Sequence, residues 1–211
     1  GISLLTDALI VLQADAPEGQ VFSKWNDGKA DNPRIVTAAD ASQLFPLFLP
    51  KTGQGAVCVK LPVLAGAGMG AVNVNAAAVT EGESVQLKLV VLPSYSQSSV
   101  KVFANGKELD ATLSLRASSE TKTLFYTLSG LSEDVDVEVS GLKQNEYVVS
   151  FEQQDGGIVR ASQVGMVKHG TIVTLEAAPD RGNMFVKWKD GNTLKPSRYV
   201  VTDNCTLKGT F

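Results

Sequence analysis

The chain has 211 residues, a mass of 22.3 kDa and a formal net charge of −3, with 44% hydrophobic and 19% charged residues. This composition supplies packed cores and excludes a disordered tail. Basic residues are not gathered: there are 3 against 6 acidic up to Pro50, 8 against 10 from Lys51 to Glu146, and 8 against 6 beyond.

A nucleic-acid footprint needs clustered Lys and Arg to displace counterions from phosphates, so no nucleic-acid partner is expected. No apolar run approaches the roughly 20 residues that cross a bilayer, so no membrane insertion of this segment is expected either. The chain begins with Gly1, and Ile2–Leu12 reads as strand without the basic start and small-residue cleavage site of a signal peptide. The start therefore reads as a boundary inside a longer protein whose secretion signal has been removed.

Residues 1–52 read as a truncated β unit. Residues 53–146 read as a divergent β module: Val57–Val63 and Ala71–Ala76 flank Gly66, Gly68 and Gly70, and Glu81-Gly82 precedes a strand at Val85–Leu92. Phe103-Ala104-Asn105-Gly106 marks a hairpin, because Asn-Gly tolerates the positive φ angles of a tight turn. Val135–Val139 alternates strictly and reads as a half-buried edge or outer strand with its acids in water.

Residues 147–211 read as a complete module. Tyr147–Gln153 is a first strand, turned by Asp155-Gly156-Gly157 into Ile158–Ala161. Lys168-His169-Gly170 leads into Ile172–Ala177, and Pro179–Gly182 into Met184–Lys189. Asp190-Gly191 reverses the chain, and Arg198–Phe211 finishes it with a kink at Asp203-Asn204. No stretch of about eleven residues repeats apolar positions at helical spacing. Ala38–Leu44 is the nearest candidate, but its counterpart Val201–Leu207 looks like strand, which weighs against a helix.

Residues 12–48 and 175–211 align without a gap at a constant offset of 163, with identities that include Phe22/Phe185, Lys24/Lys187, Trp25/Trp188, Gly28/Gly191, Pro33/Pro196 and Phe48/Phe211. This is an internal repeat. The first copy starts partway through the pattern, so it lacks the initial hairpin and keeps an edge of unpaired backbone groups. That edge is expected to be covered by the next unit or a symmetry mate, or completed by upstream strands. The fold class expected is all-β: tandem small β-sandwich or β-grasp-like modules of about five strands, the first truncated.

The last unit carries a Gly-Gly-x-Val hairpin, Gly170-x-x-Val173-x-Leu175-x-Ala177, Pro179-x-x-Gly182-x-x-Phe185-x-x-Trp188 and a terminal Leu207-x-x-x-Phe211. In these it resembles the divergent internalin-type (InlB) B-repeat family. The first copy matches the C-terminal half of that pattern from Leu12 to Phe48, with Pro17 one place later relative to the glycine. The middle module replaces the tryptophan with Phe103 and inserts Ala111–Thr123. It is similar to the sister modules beside such repeats in surface proteins of Bacteroides-type gut bacteria. The resemblance implies a cell-envelope or extracellular location, tandem arrangement beside neighbouring repeats of the same polypeptide, and a stalk or adhesion role without common catalytic residues.

Several residues invite chemical readings. Trp25 and Trp188 could stack a sugar ring, but their shared register before a tight turn suits core anchors better. Gly66-Ala67-Gly68-Met69-Gly70 resembles a phosphate loop, yet strand rather than helix follows it. His169 is the single histidine and reads as a surface turn, so no multi-His zinc centre can form. Glu133, Asp134, Asp136 and Glu138 could hold calcium, though alternating acids more often solvate a face. A disulfide between Cys58 and Cys205 is the weaker reading, since they sit at non-equivalent positions in different units.

The candidate ligand surface is a basic face of the last unit at Lys187, Lys189, Arg198 and Lys208, beside Lys195. It would suit an anionic glycan or a host matrix protein. No catalytic set, metal or cofactor is expected. The leading functional expectation is a non-catalytic stalk or adhesion segment, and the alternative is a carbohydrate-binding accessory module with an exposed platform among Trp25, Trp188, Phe103 and Tyr95.

Overall fold

The computed structural model describes residues 7–51, 55–64, 69–117, 119–152 and 154–211. It divides into two compact units, Gly1–Pro93 with Ser99–Leu142, and Ser94–Ser98 with Lys143–Phe211. Nearly all regular structure is strand, as the alternating pattern dictates.

In the first unit the repeat copy forms β1 (Leu9–Leu12), β2 (Gln20–Trp25), β3 (Arg34–Thr37), one helical turn α1 (Ala38–Ala41) and β4 (Pro46–Pro50). The middle module adds β5 (Ala56–Lys60), β6 (Gly70–Val74), β7 (Ala78–Thr80), β8 (Val85–Val91), β9 (Lys101–Ala104) and β10 (Lys107–Glu108). It continues with β11 (Leu113–Arg116), β12 (Lys122–Leu128) and β13 (Val135–Ser140). The second unit contains β14 (Glu146–Phe151), β15 (Gly157–Ala161), β16 (Gly165–Lys168), β17 (Ile172–Pro179), β18 (Lys187–Trp188), β19 (Ser197–Val200), β20 (Cys205–Leu207) and β21 (Gly209–Thr210).

One pairing scheme underlies all three copies. In the last, β14 pairs antiparallel with β16 and parallel with β20, β17 lies between β15 and β19, and β18 pairs with β21. The middle module repeats this: β5 pairs antiparallel with β7 and parallel with β13, β8 lies between β6 and β12, and β9 pairs with β13. Its inserted segment becomes β11, which extends the second sheet beyond β12. In the first copy the described residues form the pairs β1–β3 and β2–β4, matching β17–β19 and β18–β21.

Alternation builds the cores. Val85, Leu87, Leu89 and Val91 of β8 are fully buried while Gln86 and Lys88 face out. Val173, Leu175, Val201, Leu207, Tyr147, Val149 and Val159 close around Trp188 in the last unit. The Asn105-Gly106 turn forms as expected, with φ of 47° and 77°, and joins β9 to β10.

Three expectations need correction. β13 has buried valines and solvated acids, but it lies inside the order β10-β9-β13-β5-β7 rather than at an edge. Its first residues pair with β5 and its later ones with β9. Ala38–Ala41 is helical: Thr37 Oγ1 caps it by accepting from Asp40 N at 3.1 Å, and Gln43 N and Leu44 N donate to Asp40 O and Ala41 O. At the offset of 163 this turn corresponds to Val201–Asn204, which is not strand either; β20, the counterpart of 42–44, is strand where it pairs with β14. Met184–Lys189 narrows to β18, since pairing extends only along Gly209–Thr210. Ile2–Thr6, Gly66, Gly68 and Gln153 lie outside the described residues.

The first copy is tied to the middle module through a bulge. β2 and β4 slip register between Phe22 and Lys24, which leaves Ser23 out of their ladder. Ser23 O accepts from Ala77 N at 2.7 Å, and its Oγ donates to Ala78 O at 2.6 Å. The β2 bulge of the remnant is thus hydrogen-bonded to the middle module at β7.

Candidate functional site

Both repeat copies build the same aromatic plug. Trp25 is 1% and Trp188 2% exposed. Each indole Nε1 donates to the carbonyl six residues on, Trp25 to Asp31 at 2.8 Å and Trp188 to Leu194 at 2.7 Å. Each backbone N–H reaches four residues on, to Lys29 O and Asn192 O, and Gly28 N and Gly191 N return to the tryptophan carbonyls. Both glycines have φ above 80°, the left-handed region open to glycine. Phe22 lies 5.6 Å from Trp25 and 6.3 Å from Phe48, and Phe185 lies 4.9 Å from Trp188 and 5.9 Å from Phe211. The peptide bonds before Pro33 and Pro196 are both cis. Neither indole is available to stack on a sugar, and Phe103 and Tyr95 are half-buried.

The lids differ. Arg34 lies over Trp25 at 6.0 Å and forms a two-pronged pair with Asp27 at 3.0 Å on each arm. That guanidinium holds the Asp27 carboxyl below the usual carboxylate range. In the last copy Ser197 takes the place of Arg34 and is buried, accepting from Asn192 Nδ2 at 2.8 Å.

The four basic residues singled out from the sequence divide. Lys208 donates to Glu152 Oε1 at 2.8 Å and Lys189 approaches the same carboxylate at 3.9 Å. The Lys208 hydrogen bond lowers the Glu152 pKa. Lys187 is exposed on β18, while Arg198 belongs to the other sheet, opposite Thr174 on β17. Lys189 and Lys208 border a cleft of about 330 Å³ whose walls include Leu175, Tyr199, Asn204 and Cys205. An apolar floor with a few polar groups at its rim is the usual form of a small-ligand site, and this volume lies near the lower end for one. Glu152, directly after β14, draws two of the lysines together; the sequence places it in the first strand, Tyr147–Gln153, with no role there.

Other candidates have structural partners. Asp134 Oδ1 accepts from Cys58 N, Asp136 pairs with Lys60 at 3.6 Å, and Glu133 lies near Asn105 Nδ2. No group of three or more His, Cys, Asp or Glu among the described residues could hold a metal ion. Gly70 opens strand β6, so no helix N-terminus follows the glycine stretch. Both cysteines are free and half-buried, and burial raises the Cys58 thiol. His169 lies in a turn, yet it is half-buried with its ring 5.8 Å from Tyr147, and its Nδ1 is buried without a hydrogen-bond partner among the described residues.

A residue the sequence did not flag is Asn145, only 3% exposed. Its Oδ1 accepts from Gln97 N, its Nδ2 donates to Tyr147 Oη, and its N–H donates to Ser94 O, which fastens Ser94–Ser98 into the second unit.

The second unit is thus a small module of three short sheets closed on an aromatic plug, with no convergent set of titratable groups described in it. Residues 147–211 match the family model described as divergent InlB B-repeat domain. The resemblance read from the last unit is therefore shown for that unit, in a family typical of surface proteins and generally non-catalytic. No curated protein and no solved structure matches the chain. No helix among the described residues is long and apolar enough to cross a membrane.

Proposed function

We propose that this chain is a non-catalytic stalk or adhesion segment of an extracellular or envelope-anchored protein. The observation that carries this reading is the reuse of one plug in two copies, each placing the aromatics they share in packing rather than on a binding face. A segment selected to space and present modules keeps its core pattern and varies its surface. The 211-residue protein, immobilised and probed with glycan and host-matrix arrays, tests the two roles. Retention of a matrix protein supports adhesion, and silence on both supports a spacer.

A second reading, a carbohydrate-binding accessory module, is favoured by the cleft beside Tyr199, Lys189 and Lys208. It requires that an anionic glycan bind and that Lys189→Ala with Lys208→Ala abolish binding. Retained affinity in that double variant would remove the cleft from consideration.

A further inference from the structure

In two of the three copies a side-chain amide bridges the turn that follows β2 or β9. Asn26, Asn105 and Lys189 hold the same place in the pairing scheme, each donating its backbone N–H to the facing segment: to Phe45 O at 3.0 Å, Asp136 O at 3.0 Å and Lys208 O at 2.9 Å. The asparagines add two side-chain bonds. Asn26 Oδ1 accepts from Phe45 N at 3.0 Å, and its Nδ2 donates to Gln43 O at 3.1 Å. Asn105 Oδ1 accepts from Asp136 N at 2.8 Å, and its Nδ2 donates to Asp134 O at 3.0 Å. One carboxamide thus satisfies a backbone N–H and the carbonyl two residues before it.

In the last copy the corresponding groups are Lys208 N and Thr206 O, and a lysine, which donates but cannot accept, stands in the asparagine's place. Lys189 extends toward Glu152 instead, 3.9 Å from its carboxylate. Glu152 N donates to Leu207 O, so Cys205 and Leu207 turn their backbone groups to β14, and Thr206 and Lys208 turn theirs away from it. Neither Lys208 N nor Thr206 O has a hydrogen-bond partner among the described residues. Both residues line the cleft of about 330 Å³ together with Lys189, beside apolar surface from Leu175 and Tyr199. The cleft therefore presents one donor and one acceptor in the arrangement that a planar amide meets twice elsewhere in the chain.

We propose that this cleft binds a primary carboxamide, the side chain of an asparagine in a partner protein. The carboxamide oxygen accepts from Lys208 N–H and its N–H donates to Thr206 O, as the amides of Asn26 and Asn105 do internally. Apolar residues flanking the asparagine rest against Leu175 and Tyr199. A carboxylate could take the Lys208 N–H, but its other oxygen would face the Thr206 carbonyl, acceptor against acceptor. The pull of the two lysines on such an anion is blunted because Glu152 already engages both. For its protein partner the site rests on the adhesion reading, and it differs from the glycan reading in using backbone groups rather than lysine side chains.

The test titrates the full chain, isotope-labelled, with the peptide Phe-Asn-Phe, acetylated at one end and closed by an N-methylamide at the other, so that asparagine supplies its only primary amide. Saturable shifts of the Lys208 amide and Thr206 carbonyl resonances are expected at millimolar peptide, with the matching Phe-Asp-Phe peptide at least about tenfold weaker. Lys189→Asn closes the site from within, as in the other copies, and should abolish the shifts while core resonances stay in place. Lys189→Ala leaves both backbone groups open and should keep the shifts. No shift at millimolar peptide, equal binding of Phe-Asp-Phe or Phe-Leu-Phe, or binding that survives Lys189→Asn each overturns the proposal. A cleft that takes the peptide in a chain that retains no matrix protein would remove the adhesion reading and leave the carboxamide site standing.

Discussion

The first and last copies carry the same plug in unlike enclosures. Around Trp188 lie strands on every side, with Tyr147, Val149 and Val159 contributed by β14 and β15. Around Trp25 the described residues supply instead an Arg34 lid, a helical turn and a hydrogen-bonded bulge against β7. The plug is therefore specified locally, by Phe22/Trp25 or Phe185/Trp188 and the turn that follows. The enclosure is specified by whatever chain lies beside it.

Five substitutions test this contrast. The largest effect is expected for Trp188→Ala, about 3–5 kcal/mol, because a rigid surround leaves the cavity open; Trp25→Ala should cost less, about 2–3 kcal/mol, in a looser one. Urea unfolding followed by the remaining tryptophan measures both, and equal losses would break the distinction. Gly157→Ala drives a methyl into the Phe211 ring and should cost about 1–3 kcal/mol in the second unit alone by the same assay.

Ser23→Ala deletes the bond to Ala78 O, a loss of about 1–2 kcal/mol in the first unit, read by thermal denaturation. The smallest effect belongs to Asp27→Asn, below about 1 kcal/mol, since the pair is partly exposed. Asp27 has a lowered folded pKa, so its contribution is complete above about pH 5 and fades as pH falls below about 4 through the folded value. Acid titration of stability should show this fading in the wild type and not in the variant.

The pairing scheme was legible wherever alternation and turn residues coincide, as at Val85–Leu92, Asn105-Gly106 and Asp190-Gly191, since side-chain period and positive φ are local properties. The plug was legible from Phe22, Trp25 and their counterparts for the same reason. The helical turn was not, because Ala38–Leu44 reads through its counterpart Val201–Leu207, of which only Cys205–Leu207 is strand. β16 escaped notice with only Val167 buried among exposed residues. The gathering of Lys189 and Lys208 on Glu152 brings together residues more than thirty positions apart, which strand periodicity does not relate.

Ser23 gives the truncated copy a use that its missing strands would not suggest. β7 is three residues long, with β5 on one side and the bulged backbone of Ser23 against its start. Severed from residues 1–52, the middle module would bare Ala77 N–H and turn a guarded margin into a site for promiscuous self-association. The remnant thus acts as a bumper that keeps the next module from sticking to its own kind.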